Sequence, residues 1–299
     1  MNKHELHGLW LGLLGVLLFS ITLPVTRLAV GTPEAPFLTG FFIAFGRAGV
    51  AGLLSVVYLV SVKATPPTAK QYQSLAMVSL GVVFGFPLLT SLAMRYVPAA
   101  HASVITGVLP LATAALAARV NRQRPSVGFW LCAVSGCVLV LGFAILRSGQ
   151  SGWWPHTADL MLLAAMALGA IGYVWGGRMS TQMPAQQVIS WALVMSLPVT
   201  LPLAWLFRPL EPVPWFAWAG FAYVSLFSMW LGFFAWYRGL AMGGTVRVSQ
   251  VQLLQPFLGM LFAIPILGES LDATTVGFGL AVVATVFLGR KMPVHSHTT

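Results

Sequence analysis

The sequence predicts an all-α polytopic membrane protein with ten transmembrane helices arranged as two inverted five-helix repeats. Three observations predict it. Apolar runs near the roughly 20 residues that cross a hydrocarbon core recur along the whole chain. Only 7% of the 299 residues are charged, against about 25% in a soluble domain. Two stretches with one architecture stand a constant 146 positions apart, with Pro110 aligned on Pro256. With 58% hydrophobic residues and a mean hydropathy of +0.85, no water-exposed surface can be built from this composition, so the bilayer is the solvent.

Charges, Pro and Gly bound the spans in order at 8–27, 36–62, 72–94, 98–118, 126–146, 158–177, 185–207, 214–237, 244–267 and 272–289. The first follows a short head containing Lys3. It lacks an A-x-A cleavage site and runs on to Thr26-Arg27, so it reads as a retained helix rather than a secretory signal. The connections are too short for a folded soluble domain. Small-residue pairs at Gly8 and Gly12, Gly81 and Gly85, Gly172 and Gly176, and Gly239 and Gly243 are packing devices that let helices approach closely.

Lys and Arg mark the cytoplasmic side. With the N-terminus inside, eleven of them fall in cytoplasmic segments, four outside (Arg27, Arg95, Arg147 and Arg208), and Arg47 lies within the second span. Both termini are therefore expected in the cytoplasm and the protein in the cell inner membrane. Glu34, Asp159, Glu211, Glu269 and Asp272 then fall outside.

An odd number of spans per half turns equivalent loops to opposite faces. Arg119-Val-Asn-Arg122-Gln-Arg124 between spans four and five faces Gly268-Glu269-Ser-Leu-Asp272 between nine and ten, basic inside and acidic outside. The expected division is a first repeat over 1–148, a second over 157–291 and a short cytoplasmic tail over 292–299.

The run Pro256-Phe-Leu-Gly-Met-Leu-Phe-Ala-Ile-Pro-Ile-Leu-Gly268-Glu269-Ser-Leu-Asp, followed by Gly277, resembles the P-x7-to-9-L-G-E-x-L signature of EamA-type members of the drug/metabolite transporter superfamily. Arg47-Ala-Gly-Val-Ala-Gly-Leu-Leu is similar to that family's Arg followed by a small, aliphatic-rich run. The resemblance covers about 8–290. Asn121-Arg122-Gln123-Arg124 departs from the Gly-Glu motif in the first half, and Leu18-Phe19-Ser20 from the Trp-Gly pair of span one. The resemblance implies a ten-helix basket with a central cavity and alternating access, often exporting amino acids or related metabolites. It does not carry over a substrate.

Polar residues at membrane depth are the functional candidates, because each ionisable one costs several kcal/mol unless paired or wet. Arg47 lies near the midplane with no acid in its helix, where it meets an anionic cargo or braces neighbouring helices. His101 and Arg247 are partners at the 146 offset, each in the first turns of a helix carrying a central Pro. Gln252 and Gln255 lie on one face of span nine, and Pro256 frees a backbone carbonyl beside them. At the same offset Ser103 and Pro110 in span four are the counterparts of Ser249 and Pro256. Tyr96, Trp175, Trp230 and Tyr237 complete the expected cavity set, with Pro110 and Pro256 as helix-break positions. Trp153, Trp154, Trp215 and Trp218 read as interfacial belt residues.

HExxH, GxxxxGK[ST] and GxSxG are missing, and the acids look too few and too peripheral for acid-base catalysis, so the chain is not expected to be an enzyme. Neither a cofactor nor a metal is expected, and Cys132 and Cys137 read as apolar packing. The net charge of +10 is scattered between apolar runs, which points to lipid head groups rather than nucleic acid. Expected partners are a small-molecule substrate and the bilayer; a monomer and a homodimer both fit. An intramembrane lipid-handling protein and a non-transporting assembly partner are the alternatives, the latter requiring the polar residues of span nine at a lateral surface.

Overall fold

The apolar runs become helices, and the computed structural model describes residues 3–120, 124–147, 157–243, 248–291 and 294–295. In chain order the helices are α1 (Leu6–Val30), α2 (Gly40–Ser61), α3 (Ala69–Ala93), α4 (Ala99–Val120), α5 (Val127–Arg147), α6 (Thr157–Met179), α7 (Ala185–Leu206), α8 (Trp215–Met242), α9 (Gln255–Leu267) and α10 (Ala273–Lys291). Among the described residues α1 to α4 and α6 to α8 are long and apolar enough to cross a bilayer. The protein is therefore a polytopic helical membrane protein. A two-residue antiparallel pairing joins Arg124–Pro125 to Val294–His295.

Local chemistry sets the helix starts. Thr39 caps α2 by accepting from the Phe42 N–H at 3.0 Å, and Thr68 with Gln71 forms a capping box at α3. Pro98, Pro184 and Pro214 stand immediately before α4, α7 and α8 in extended backbone, where a missing N–H costs no helix bond. Positions agree between the halves: Gly40 and Ala185, Ala69 and Trp215, and Val127 and Ala273 begin helices 145 or 146 residues apart.

Several helices depart from α geometry near their middles. A turn at Ile21 interrupts α1, because Pro24 has no N–H to offer the Ser20 carbonyl. In α4 the break falls at Gly107 and Val108, where Pro110 cannot bond Thr106; the Gly107 and Val108 N–H groups bond three residues back instead, at 3.0 and 3.2 Å. A 3-10 turn, Ser249–Leu254, leads into α9 just before Pro256. Wide π turns occupy Ser79–Gly85 in α3 and Val224–Leu231 in α8, again offset by 145 to 146.

Packing pairs α2 with α7, α5 with α10 and the first half of α4 with α9, while α1 lies against the second half of α8 and α6 against α3. Glycines make the last two contacts close. A Cβ on Gly81 would meet the backbone of Leu168 and Gly172, and one on Gly239 the backbone of Gly8 and Gly12. Apolar side chains cover the outside, Val57 and Val60 on α2 being 67% and 72% exposed, as a lipid-facing surface requires.

Candidate functional site

A narrow cavity lies at the centre, between α1, α2 and α3 of the first half and α6, α8 and α9 of the second. The π turns help to shape it. Val82 in the first and Ser228 in the second stand 146 residues apart, and both line the wall. A wide turn inserts an extra residue into the helix and re-aims the side chains beside it, which is why such turns recur at functional sites. Phe19, Phe86, Met229 and Phe233 make the lining mostly apolar.

Against this background stand Arg47, Tyr173 and Gln255. Arg47 is 1% exposed, and its Nε has no hydrogen-bond partner among the described residues. Gln255 is 8% exposed, with its side-chain oxygen unpartnered. Gln252, 1% exposed, lies near the Tyr173 hydroxyl, and neither of its amide atoms is within hydrogen-bond distance of a partner among the described residues. The remaining polar wall groups satisfy each other, Thr22 donating to the Ser228 hydroxyl at 2.8 Å. No acid lines this cavity among the described residues.

A second, open vestibule lies where α4 and α6 begin, lined by Tyr96, His101, Asp159, Glu269, Asp272 and Thr275. Its polar groups tie helices together. His101 Nε2 lies 2.6 Å from Asp159 Oδ1, with Phe143 of α5 packed against the imidazole. Gly268 ends α9 in the left-handed conformation, at φ 68° and ψ 20°, which a side chain resists. That turn aims Glu269 at α4, whose Ala99 and Ala100 N–H groups donate to the two carboxylate oxygens at 2.7 and 2.8 Å. Asp272 then caps α10, accepting from the Thr275 N–H at 2.7 Å. The Gly-Glu segment is a joint that ends one helix and caps two others. On the same end Arg27 donates to the Met94 carbonyl at 2.6 Å, and Arg95 to those of Val30 and Leu38 at 3.3 and 2.9 Å, linking α1 to α3.

Residues 6–146 and again 156–290 match the EamA-like transporter family, so each half matches separately. The chain belongs to the EamA-like transporter family. It is 43% identical over 295 residues to the Bacillus subtilis (strain 168) protein named "Uncharacterized transporter YdeK", covering 97% of this chain and 99% of that one. "Uncharacterized transporter YyaM" of the same organism is 23% identical over 242 residues, 77% of this chain and 79% of its own length. A crystal structure with 15% sequence identity aligns over 94% of this chain and 95% of its own with a TM-score of 0.63, a likeness of fold.

In this EamA-like transporter Arg47 and Gln255 are the members of the expected set that line the central cavity among the described residues. Tyr96, 59% exposed, and His101 line the vestibule instead. Ser103 packs on Gly259 where α4 crosses α9, and its hydroxyl donates to the Ala99 carbonyl at 2.8 Å. Tyr237 is fully buried and donates to the Gly172 carbonyl at 3.1 Å, joining α8 to α6. Trp230 sits edge-on to Tyr58 and Phe234, its Nε1 3.4 Å from the Ser190 hydroxyl, and Trp175 packs against the core. Pro110 and Pro256 are buried beside the helix breaks. Arg247, Trp153 and Trp154 lie outside the described residues.

Two expectations need correction. The acids are not all peripheral: Asp159 is 1% exposed, drawn in by His101, 58 residues away in sequence. The expected cavity set also placed Ser103 of α4 in the wall, yet α4 contributes no described lining residue. The tie to Glu269 and the packing of Ser103 on Gly259 hold α4 behind α9. Ser228 and the two π turns escaped the sequence reading. The recurrence of Ser79 at Ser225 near the turns is too slight a signal to find them.

Proposed function

We propose that this protein is a secondary transporter of the cell inner membrane that exports small metabolites such as amino acids by alternating access. One observation carries the reading: a mostly apolar cavity bounded by three helices from each half, whose wall holds a buried guanidinium and a buried amide, each with an atom that lacks a hydrogen-bond partner among the described residues. Unpaired polar groups at this depth are costly, and a cargo that completes their hydrogen bonds offsets that cost.

Residues 1–148 and 157–291 act as inverted five-helix repeats, with both termini and the 292–299 tail cytoplasmic. The offset helix starts, the matching π turns and the exchanged pairing of α1 with α8 and α6 with α3 support a twofold relation between the halves. Rocking one repeat against the other then exposes the cavity to each side in turn. No nucleotide-binding loop is present in the sequence, so uphill export draws on an ion gradient or on exchange. The side chains of Gln252 and Gln255 face the interior, against the lateral surface that an assembly partner needs.

Counterflow tests the proposal. Proteoliposomes loaded with an unlabelled amino acid take up the labelled one faster than empty vesicles do. Absence of flux for every amino acid, nucleobase and amphiphilic drug contradicts it.

A further inference from the structure

We propose that Arg47 and Gln255 set the specificity of the central cavity for small apolar monocarboxylates carrying an amino or hydroxyl donor beside the carboxylate. The carboxylate sits on Arg47, and the donor on the Gln255 side-chain oxygen. This assignment rests on the transport reading above and narrows it.

Three observations carry it. The two unpartnered groups are opposite in sense, Arg47 Nε offering a proton and Gln255 Oε1 a lone pair, so one ligand satisfies both only by presenting an acceptor and a donor. Arg47 brings a buried positive charge into a cavity that no acid lines among the described residues. An anionic ligand group supplies the missing counter-charge, and in a zwitterion it also offsets the ligand's own ammonium, whereas an amine without a carboxylate adds a second uncompensated charge. The walls around these two are rings and aliphatic chains, Phe19, Phe86, Met229 and Phe233, which suit an apolar body.

The relation between the halves separates recognition from architecture. Within α2 and α7, whose bounds are offset by 145, Arg47 corresponds to Ala192, and at the 146 offset Gln255 corresponds to Leu109, the two buried in the core at 0% and 1% exposure. The other half therefore carries apolar side chains at the equivalent positions. The polar pair breaks the symmetry of the two halves at the cavity they share. A guanidinium required only to brace helices would leave no reason for its counterpart to be aliphatic.

The test uses purified full-length protein in detergent and four near-isosteric probes: L-leucine, L-2-hydroxyisocaproate, isocaproate and isopentylamine. Leucine and the hydroxy acid bind most tightly, isocaproate about tenfold more weakly for the lost hydrogen bond, and isopentylamine about 100-fold more weakly for the lost charge pair. Arg47→Leu removes the preference for carboxylates. Gln255→Leu removes only the gap between isocaproate and the two donor-bearing acids. Both variants place an apolar side chain where the other half also has one, and an unchanged size-exclusion profile shows that each folds; Arg47→Lys retains the preference for carboxylates.

Isopentylamine binding as well as leucine, or a carboxylate preference that survives Arg47→Leu, overturns the proposal. Failure of all four probes to bind also overturns it. Counterflow of a different solute would then leave the transport reading standing.

Discussion

The carboxylate of Glu269 accepts the backbone N–H of Ala99 at 2.7 Å, and through its second oxygen that of Ala100 at 2.8 Å, so an acid 170 residues away in sequence closes the start of α4. Helix N-termini leave unpaired N–H groups and a partial positive charge, and a bidentate carboxylate answers both. Glu269→Ala is expected to lower stability by about 1.5–3 kcal/mol. Glu269→Gln, with one accepting oxygen left, loses less. Thermal unfolding of the purified protein in detergent gives the order wild type, Gln, Ala; equal stability of all three refutes the joint.

His101 and Asp159 tie α4 to α6 beside that joint. Losing one partner leaves a buried polar group unpaired, whereas replacing both with leucine does not. A double-mutant cycle of His101→Leu and Asp159→Leu is expected to show a coupling of about 1–3 kcal/mol. Additive losses would mean the contact carries no stability.

Glycine contacts differ sharply along the chain. Gly81→Ala pushes a methyl group into the backbone of Leu168 and Gly172, neither of which can rotate aside, and is expected to cost about 1–3 kcal/mol. Gly277→Ala meets nothing within 4 Å, and its gain in helix propensity makes it neutral or stabilising by up to about 1 kcal/mol. Melting temperatures of the two variants should move in opposite directions or differ widely.

Sidedness follows from the proposed inversion. Ala64→Cys, between α2 and α3, should react with an impermeant maleimide only from the cytoplasmic face, and Glu211→Cys, between α7 and α8, only from outside. Labelling of both from one side would refute the topology.

Much of the fold was legible in the sequence, because hydropathy and proline act locally. The spans follow from apolar length, and the α4 break and the turn before α9 follow from Pro110 and Pro256, whose rings remove particular hydrogen bonds. Arg47 was legible as a charge with nothing in its own helix to pair with. The π turns were not, since no residue type enforces them. Nor were the partners of His101 and Glu269, which lie 58 and about 170 residues away and meet only after the helices pack. Tyr237 and Trp230 look alike in sequence to cavity aromatics, yet helix contacts hold both away from the cavity wall.

The central claim is that one cavity between the halves opens to both faces of the membrane. It is tested most directly by Val82→Cys and Ser228→Cys, the two π-turn positions that line the wall 146 residues apart, with Val57→Cys on the exposed face of α2 as the lipid-facing control. In oriented proteoliposomes each cavity cysteine should react with an impermeant maleimide added from either side, while the control stays unlabelled. Labelling of the cavity positions from one side only, or from neither, contradicts alternating access through this site.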